Sequence, residues 1–209
     1  MAKQAYVYSG TDWVPLASEV TNLTNYYTKG EIDILDAPTG LKKIVPSSVA
    51  VGSGTGSADS LGTVTFTGVS SVSLNGVFSS TYDNYWIVWN VTNNSGTSTC
   101  TLRFRTSGTD YSTADAYGSG YGLGLGPTTI TYNDSGATSL RLGSGNFQNS
   151  GGGHILVSRP TGRITYQNYV GSNATAVSYS GSCGATNFDG FSIITPGTIS
   201  GTISVYGYK

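Results

Sequence analysis

Charge is scarce in this chain. Only 10% of its residues are Asp, Glu, Lys or Arg, against about 25% in an average soluble domain. Glutamate occurs twice, at Glu19 and Glu31, so the Glu- and Lys-rich surface that helices normally present is missing. The net charge is −1, and no basic run is longer than Lys42-Lys43. That excludes the electrostatic footprint of a nucleic-acid binder. Long apolar runs are lacking too. The most notable, Tyr85-Trp-Ile-Val-Trp89, is far too short to cross a bilayer. Neither nucleic-acid binding nor membrane insertion is expected. The opening MAKQAYVY lacks a charged head followed by an apolar stretch. Cytoplasmic synthesis without a secretory leader is therefore the expectation.

Catalytic sets are equally thin. There is one histidine, His154, so no cluster of imidazoles can hold a metal. No G-x-S-x-G turn supports a Ser-His-Asp arrangement around it. A lone His at the start of an apolar strand reads more simply as structural. Beyond residue 40 the chain has no Glu and six Asp: Asp59, Asp83, Asp110, Asp115, Asp134 and Asp189. Glycoside hydrolysis needs two carboxylates facing across a cleft. These aspartates sit among Ser and Gly and read as turn formers, with a loop calcium as the other reading. The run 118–126 is glycine-rich but lacks the G-K-[ST] ending of a phosphate loop. The chain reads as a non-enzyme with no cofactor and no resident metal. Two cysteines, Cys100 and Cys183, read as small buried apolar side chains, and a disulfide between them stays open.

What fills the gap is 30 Gly, 15 Tyr and abundant Ser, Thr and Asn. Thr, Val and Tyr favour strands, and Gly, Asn and Ser favour the turns between them. The composition predicts an all-β protein with a neutral, hydroxyl-rich surface. Strand candidates recur at short intervals: 63–67, 71–74, 85–91, 99–106, 128–132, 139–142, 154–158, 163–169, 176–180, 191–195 and 201–208. Such spacing predicts an antiparallel β-sandwich of jelly-roll type. In 99–105, Cys100, Leu102 and Phe104 alternate with Thr101, Arg103 and Arg105, the mark of a strand with one wet face. In 201–208, Ile203 and Val205 alternate with Thr202, Ser204, Tyr206 and Tyr208. Residues 85–89 are bulky on both faces. They predict a central strand, or one whose second face meets a neighbouring subunit. Val51-Gly-Ser-Gly-Thr-Gly-Ser57 reads as a flexible linker by composition.

Ahead of this head lie two smaller zones. Ala5-Tyr-Val-Tyr8 and Trp13-Val-Pro-Leu16 flank Ser-Gly-Thr-Asp and predict a hairpin, too small to stand alone. Thr28-Lys-Gly-Glu31 forms a capping box, which predicts a helix of about two turns closed by Pro38. That is below the roughly 12–15 residues at which an isolated helix is marginal. Ile32 and Leu35 lie three apart on one stripe, suited to a bundle of copies of this chain; packing on the main domain is the alternative. The expected divisions are 1–20, 21–44 and 45–209.

Asn25-Tyr-Tyr-Thr-Lys-Gly-Glu-Ile-Asp33 resembles the YYTKxEID element of bacteriophage tail-fibre and related virion proteins. Tyr26, Tyr27, Thr28, Lys29, Glu31, Ile32 and Asp33 fit it. In those proteins the element lies in slender trimeric stalks. The opening Tyr6-Val-Tyr-Ser-Gly-Thr-Asp-Trp-Val-Pro-Leu16 resembles short head segments of phage structural proteins. Together these cover the first fifth of the chain. One copy of the element implies a short fibre or a piece of a longer one. The resemblance implies a homotrimer in the virion tail, with Ile32 and Leu35 as trimerisation residues. Its amino terminus would attach to a tail or baseplate protein. Its β head would bind a bacterial surface polysaccharide or outer-membrane protein. A carbohydrate-binding or adhesion module unrelated to a virion is the alternative.

The residues themselves suggest where recognition would occur. Residues 110–132 carry Asp110, Tyr111, Asp115, Tyr117, Tyr121 and Tyr132 among Gly and Ser. Tyr gives a large rigid contact area with a polar tip at low entropic cost. These six form the candidate receptor-binding set. The competing reading is a long loop whose tyrosines cover the sheet. Residues 146–153 are a second polar, glycine-rich patch, or merely a hairpin tip.

Overall fold

The computed structural model describes residues 6–8, 11, 13–15, 40–93, 100–113, 117, 121–123, 129–131, 137–142, 150–158, 164–172, 175–183 and 187–209. The chain divides into two compact units, Met1–Thr39 and Gly40–Lys209. In the first, β1 (Tyr6–Tyr8) pairs antiparallel with β2 (Trp13–Pro15). Tyr8 lies opposite Trp13 and Val7 opposite Val14. The expected hairpin is present. The expected helix, with its capping box at Thr28 and its Ile32–Leu35 stripe, lies outside the described residues, as does the Tyr26–Asp33 element.

The second unit holds fourteen further strands, all paired antiparallel, and no helix among the described residues. They are β3 (Lys42–Ile44), β4 (Ser48–Val51), β5 (Thr55–Ala58), β6 (Thr63–Asn75), β7 (Asn84–Asn93), β8 (Thr101–Thr106) and β9 (Thr109–Asp110). There follow β10 (Tyr121–Leu123), β11 (Thr129–Thr131), β12 (Leu140–Arg141), β13 (Ser150–Ser158), β14 (Ile164–Ser172), β15 (Thr175–Cys183) and β16 (Gly190–Tyr208). This is an all-β antiparallel sandwich.

Its organising element is β16, which serves both layers. Residues 190–194 lie between β6 and β8. Residues 199–208 lie between β7 on one side and β6, then β3, on the other. The register shifts between Ile194 and Ile199, across Pro196, whose missing N–H cannot join a ladder. A second shift precedes Gly201. A Cβ there would run into the Asn90 carbonyl, so only glycine lets the two backbones approach. The first layer is thus β4, the end of β6, the start of β16, and β8 with β9 and β12. The second continues outward from β16 through β7, β13, β14 and β15. The expectation that residues 85–89 form a central strand holds: β7 is flanked by β16 and β13.

One core joins the layers. Val64, Phe66, Val72 and Leu74 of β6, Tyr85, Ile87 and Trp89 of β7, Leu102 and Phe104 of β8, and Phe191, Ile193, Ile203 and Val205 of β16 are all buried. Each such side chain contributes about 1.5–3 kcal/mol relative to exposure. Phe78 joins the two layers. Its ring meets Tyr85 edge-on at 4.9 Å and lies 6.0 Å from Phe191 and 6.2 Å from Phe104. Both expected alternations appear: Cys100, Leu102 and Phe104 point inward, as do Ile203 and Val205.

Three expectations change. Residues 51–57 are not a free linker: β4 and β5 both pair with β6. Gly54, at φ 65°, makes the turn between them, and Val51 and Ala58 pack on the core. The β unit begins at Gly40, ahead of the expected residue 45, because Lys42–Ile44 pairs with β16. Finally, two pairs of expected strands are single long strands, β6 and β16.

Candidate functional site

The expected receptor segment starts at a hairpin corner. Ser107 and Gly108 turn β8 into β9 with φ of 50° and 77°. The Ser107 amide donates to Asp189 Oδ2 at 2.9 Å, which holds this left-handed serine. Across the corner, Arg105 Nη1 meets Asp110 Oδ1 at 2.7 Å. The same nitrogen faces Ser73 Oγ at 2.8 Å and Ser192 Oγ at 2.7 Å. Ser192 Oγ donates to Asp110 Oδ1 at 2.6 Å, and the Ser73 and Ser192 hydroxyls lie 2.8 Å apart. Arg105 Nη2 also donates to the Gly108 carbonyl. Asp110 therefore neutralises a guanidinium that covers two buried serines on the first layer.

The tyrosines that follow divide between surface and core. The Tyr111 amide donates to the Phe104 carbonyl at 2.8 Å, and its half-buried ring meets Phe188 edge-on at 5.5 Å. Tyr117 is 1% exposed. Its hydroxyl accepts the Phe104 amide proton at 2.9 Å and donates to the Tyr111 carbonyl at 2.6 Å. Its ring stacks on Phe104, with centroids 6.1 Å apart. As placed, it offers no ring face to solvent. Burial raises its phenol above the usual range. Tyr121 sits in β10, opposite Thr131 of β11. Asp115 and Tyr132 lie outside the described residues. The structure thus brings Tyr111 and Tyr117 together at Phe104 and ties Asp110 to Arg105 and Ser192; Tyr117 is packed into the sheet's core. In the second patch, residues 150–153 belong to β13 and residues 146–149 lie outside the described residues.

A second surface was not singled out from the sequence. The outer face of the second layer carries Trp86 and Val88 of β7, with Tyr206 and Ser204 opposite on β16 and Leu156 and His154 opposite on β13. The Trp86 ring lies 5.7 Å from His154, edge-on, and 6.1 Å from Tyr206. Among the described residues no acceptor meets the covered Trp86 indole N–H. Asn90, Thr202 and Gln167 are exposed around this row. None of the strands forming the face contains Asp or Glu. The nearby Lys43 ammonium donates to Thr63 Oγ1 at 2.5 Å. The face is neutral, aromatic and hydroxyl-bearing. Its one signal in the sequence was the bulk on both sides of residues 85–89; His154 and Tyr206 join it only through long-range register.

Among the described residues, no group of three or more His, Cys, Asp or Glu could hold a metal ion. Cys100 and Cys183 are both buried, with no disulfide between them. Burial pushes the Cys100 thiol up to about 11. Asp59 Oδ1 accepts the amides of Leu61 at 2.9 Å and Thr63 at 2.7 Å, so it is the turn former its setting suggested. The Thr63 amide holds its carboxyl below the ordinary range.

No protein-family model matches the chain, and no curated protein matches it in sequence. Among solved structures, it is similar to domain 4 of AbnA, a GH43 extracellular arabinanase from Geobacillus stearothermophilus, in complex with arabinotriose. That match has 13% identity and covers 77% of this chain and 82% of that one, with a TM-score of 0.28. The likeness is too slight to bear on function.

Proposed function

We propose that the chain is a short trimeric tail-fibre protein of a bacteriophage. Its amino-terminal unit attaches to the tail or baseplate and trimerises, and its β head binds a glycan or protein on the host surface. The observation that carries this reading is the Tyr26–Asp33 element, which falls within a small unit, Met1–Thr39, ahead of an all-β unit. Two strands of three residues make a hairpin too small to stand alone, and symmetry mates and a virion protein would supply partners for it. The head favours recognition over chemistry: it is neutral, rich in Tyr and hydroxyls, and poor in paired carboxylates.

Adsorption of labelled protein to intact cells of candidate hosts tests this. Replacing residues 110–132 wholesale would remove Tyr117 from the core, so Tyr121→Ala and Tyr132→Ala are the informative variants. Saturable adsorption that either variant weakens supports the reading and the site. Saturable adsorption unchanged in both removes the 110–132 site but keeps the fibre. Failure to adsorb across the host panel counts against the receptor role. Oligosaccharide released from capsule or lipopolysaccharide contradicts a purely binding head.

A further inference from the structure

We infer that the outer face of the second layer is a platform for an uncharged stretch of host polysaccharide, with the Trp86 and Tyr206 rings as its floor; this rests on the reading of the β head as a host-recognition module. The register of β16, β7, β13 and β14 sets the side chains in rows. One row across the sheet runs Tyr206, Trp86, Leu156 and Gln167. The next begins Ser204, Val88 and His154. The Trp86 ring stands at 86° to His154 and at 44° to Tyr206. All three rings are half-buried, so little side-chain freedom remains to be lost on binding. Amides and hydroxyls flank them. At one end Ser158 Oγ donates to Asn84 Oδ1 at 2.9 Å. At the other, Asn90 and Thr202 lie opposite each other and are exposed. Beside Asn90, β13 carries Gly152, which leaves a notch in the face. The covered Trp86 indole N–H has no acceptor among the described residues, and a ligand hydroxyl is an acceptor of the right kind.

Two observations select a neutral glycan as the occupant. The first is the mixture of side chains. The aliphatic ones in these rows are Leu156 and Val88, and polar neighbours surround them. An apolar partner would strand Asn84, Asn90, Gln167 and Ser204 beneath it, which is costly. A sugar presents C–H faces to the rings and hydroxyls, each both donor and acceptor, to the amides. The second is charge. Residues 84–93, 150–158, 164–172 and 199–208 contain no Asp, Glu, Lys or Arg. Charge begins at the β3 margin. There Lys43, opposite Tyr206, donates to Thr63 Oγ1, and its charge reaches the Asp59 carboxylate. These two opposite charges offset each other. An acidic sugar lying over the rings would therefore lose water without gaining a counter-ion.

The test is adsorption of the labelled full-length chain to host cells that are native, periodate-oxidised or protease-shaved. Trp86→Ala removes the floor. Val88→Arg, at a position 36% exposed, lays a charged side chain across it. Thr106→Arg, exposed on β8 in the first layer, is the control. Each variant is first checked for wild-type mass by light scattering and for an unchanged melting temperature. Both face variants should adsorb at least roughly tenfold more weakly than the wild type, with the control unchanged. Periodate should abolish adsorption, protease should spare it, and purified neutral polysaccharide from the same host should compete. Adsorption that periodate abolishes but neither face variant weakens overturns this inference and leaves the receptor reading standing. Adsorption that protease abolishes and periodate spares overturns it in favour of a surface protein. Competition by acidic polysaccharide alone, weakened in Lys43→Ala, overturns the neutral ligand. No adsorption to any host in the panel overturns the receptor reading and this inference together. If Trp86→Ala does not fold, Val88→Arg carries the test alone.

Discussion

At the scale of single residues, Tyr117 and Asp59 illustrate two kinds of polar side chain, one hidden and one wet. Tyr117→Phe keeps the ring stack on Phe104 but strands the Phe104 amide and the Tyr111 carbonyl. Urea denaturation should show a loss of about 1–3 kcal/mol, the cost of leaving a buried group unpaired. Burial also makes the fold sensitive to alkali. Cys100 stays protonated to about 11 in the fold, whereas its ordinary value is 9.0. Its stabilisation is therefore full below pH 9 and is lost as pH rises toward 11. Tyr117 acts with the same sign from its ordinary value of 10.0 upward. The melting temperature should fall from about pH 9 upward, less steeply in Cys100→Ala; an unchanged slope would show that burial of the thiol is not the cause. Asp59 works in the opposite direction. Its carboxylate supports the turn above its ordinary value of 3.8, and that support is lost as the pH falls below it. Asp59→Ala should melt below the wild type at pH 7, with the gap closing in acid. Asp59 was readable from the sequence because its partners are two and four residues away. The burial of Tyr117 was not: its hydroxyl bonds the backbone thirteen residues upstream, and no local period encodes that.

At the scale of elements, β6 and β16 decide the architecture, and they were read as four strands. The reason is physical: Thr195-Pro196-Gly197 looks like a strand end. The chain nevertheless stays extended because β6 flanks both arms of β16, with β8 and β7 completing them. The Gly/Ser stretch at residues 51–57 misled for a related reason. Composition reports flexibility, but Gly54 serves a tight turn whose flanks are packed. Alternation within a strand was legible, as in Cys100, Leu102 and Phe104, since a period of two is local. Strand order was not. Gly201→Ala tests the β16 account. Its new methyl would strike the Asn90 carbonyl, so a drop of roughly 1–3 kcal/mol is expected, as for overpacking. Gly40→Ala, with open space around it, should leave the melting temperature unchanged. Equal effects at both positions would mean that the close approach at Gly201 is not a constraint.

At the scale of the whole molecule, the β unit places its surfaces unevenly. Asp110 and Tyr111 are tied into the first layer through Arg105 and Phe104, whereas the aromatic and apolar surface lies on the second. The composition made the β class plain, because so neutral and glycine-rich a chain has no helical surface to offer. The outer face around Trp86 was only half visible, since two of its rings come from strands far apart in sequence. The most direct measurement is the solution mass of the full-length chain by size-exclusion chromatography with light scattering across a wide dilution series. A stable species at three times the 21.7 kDa chain mass is the expected result. A single species at 21.7 kDa at every concentration would contradict the trimeric fibre.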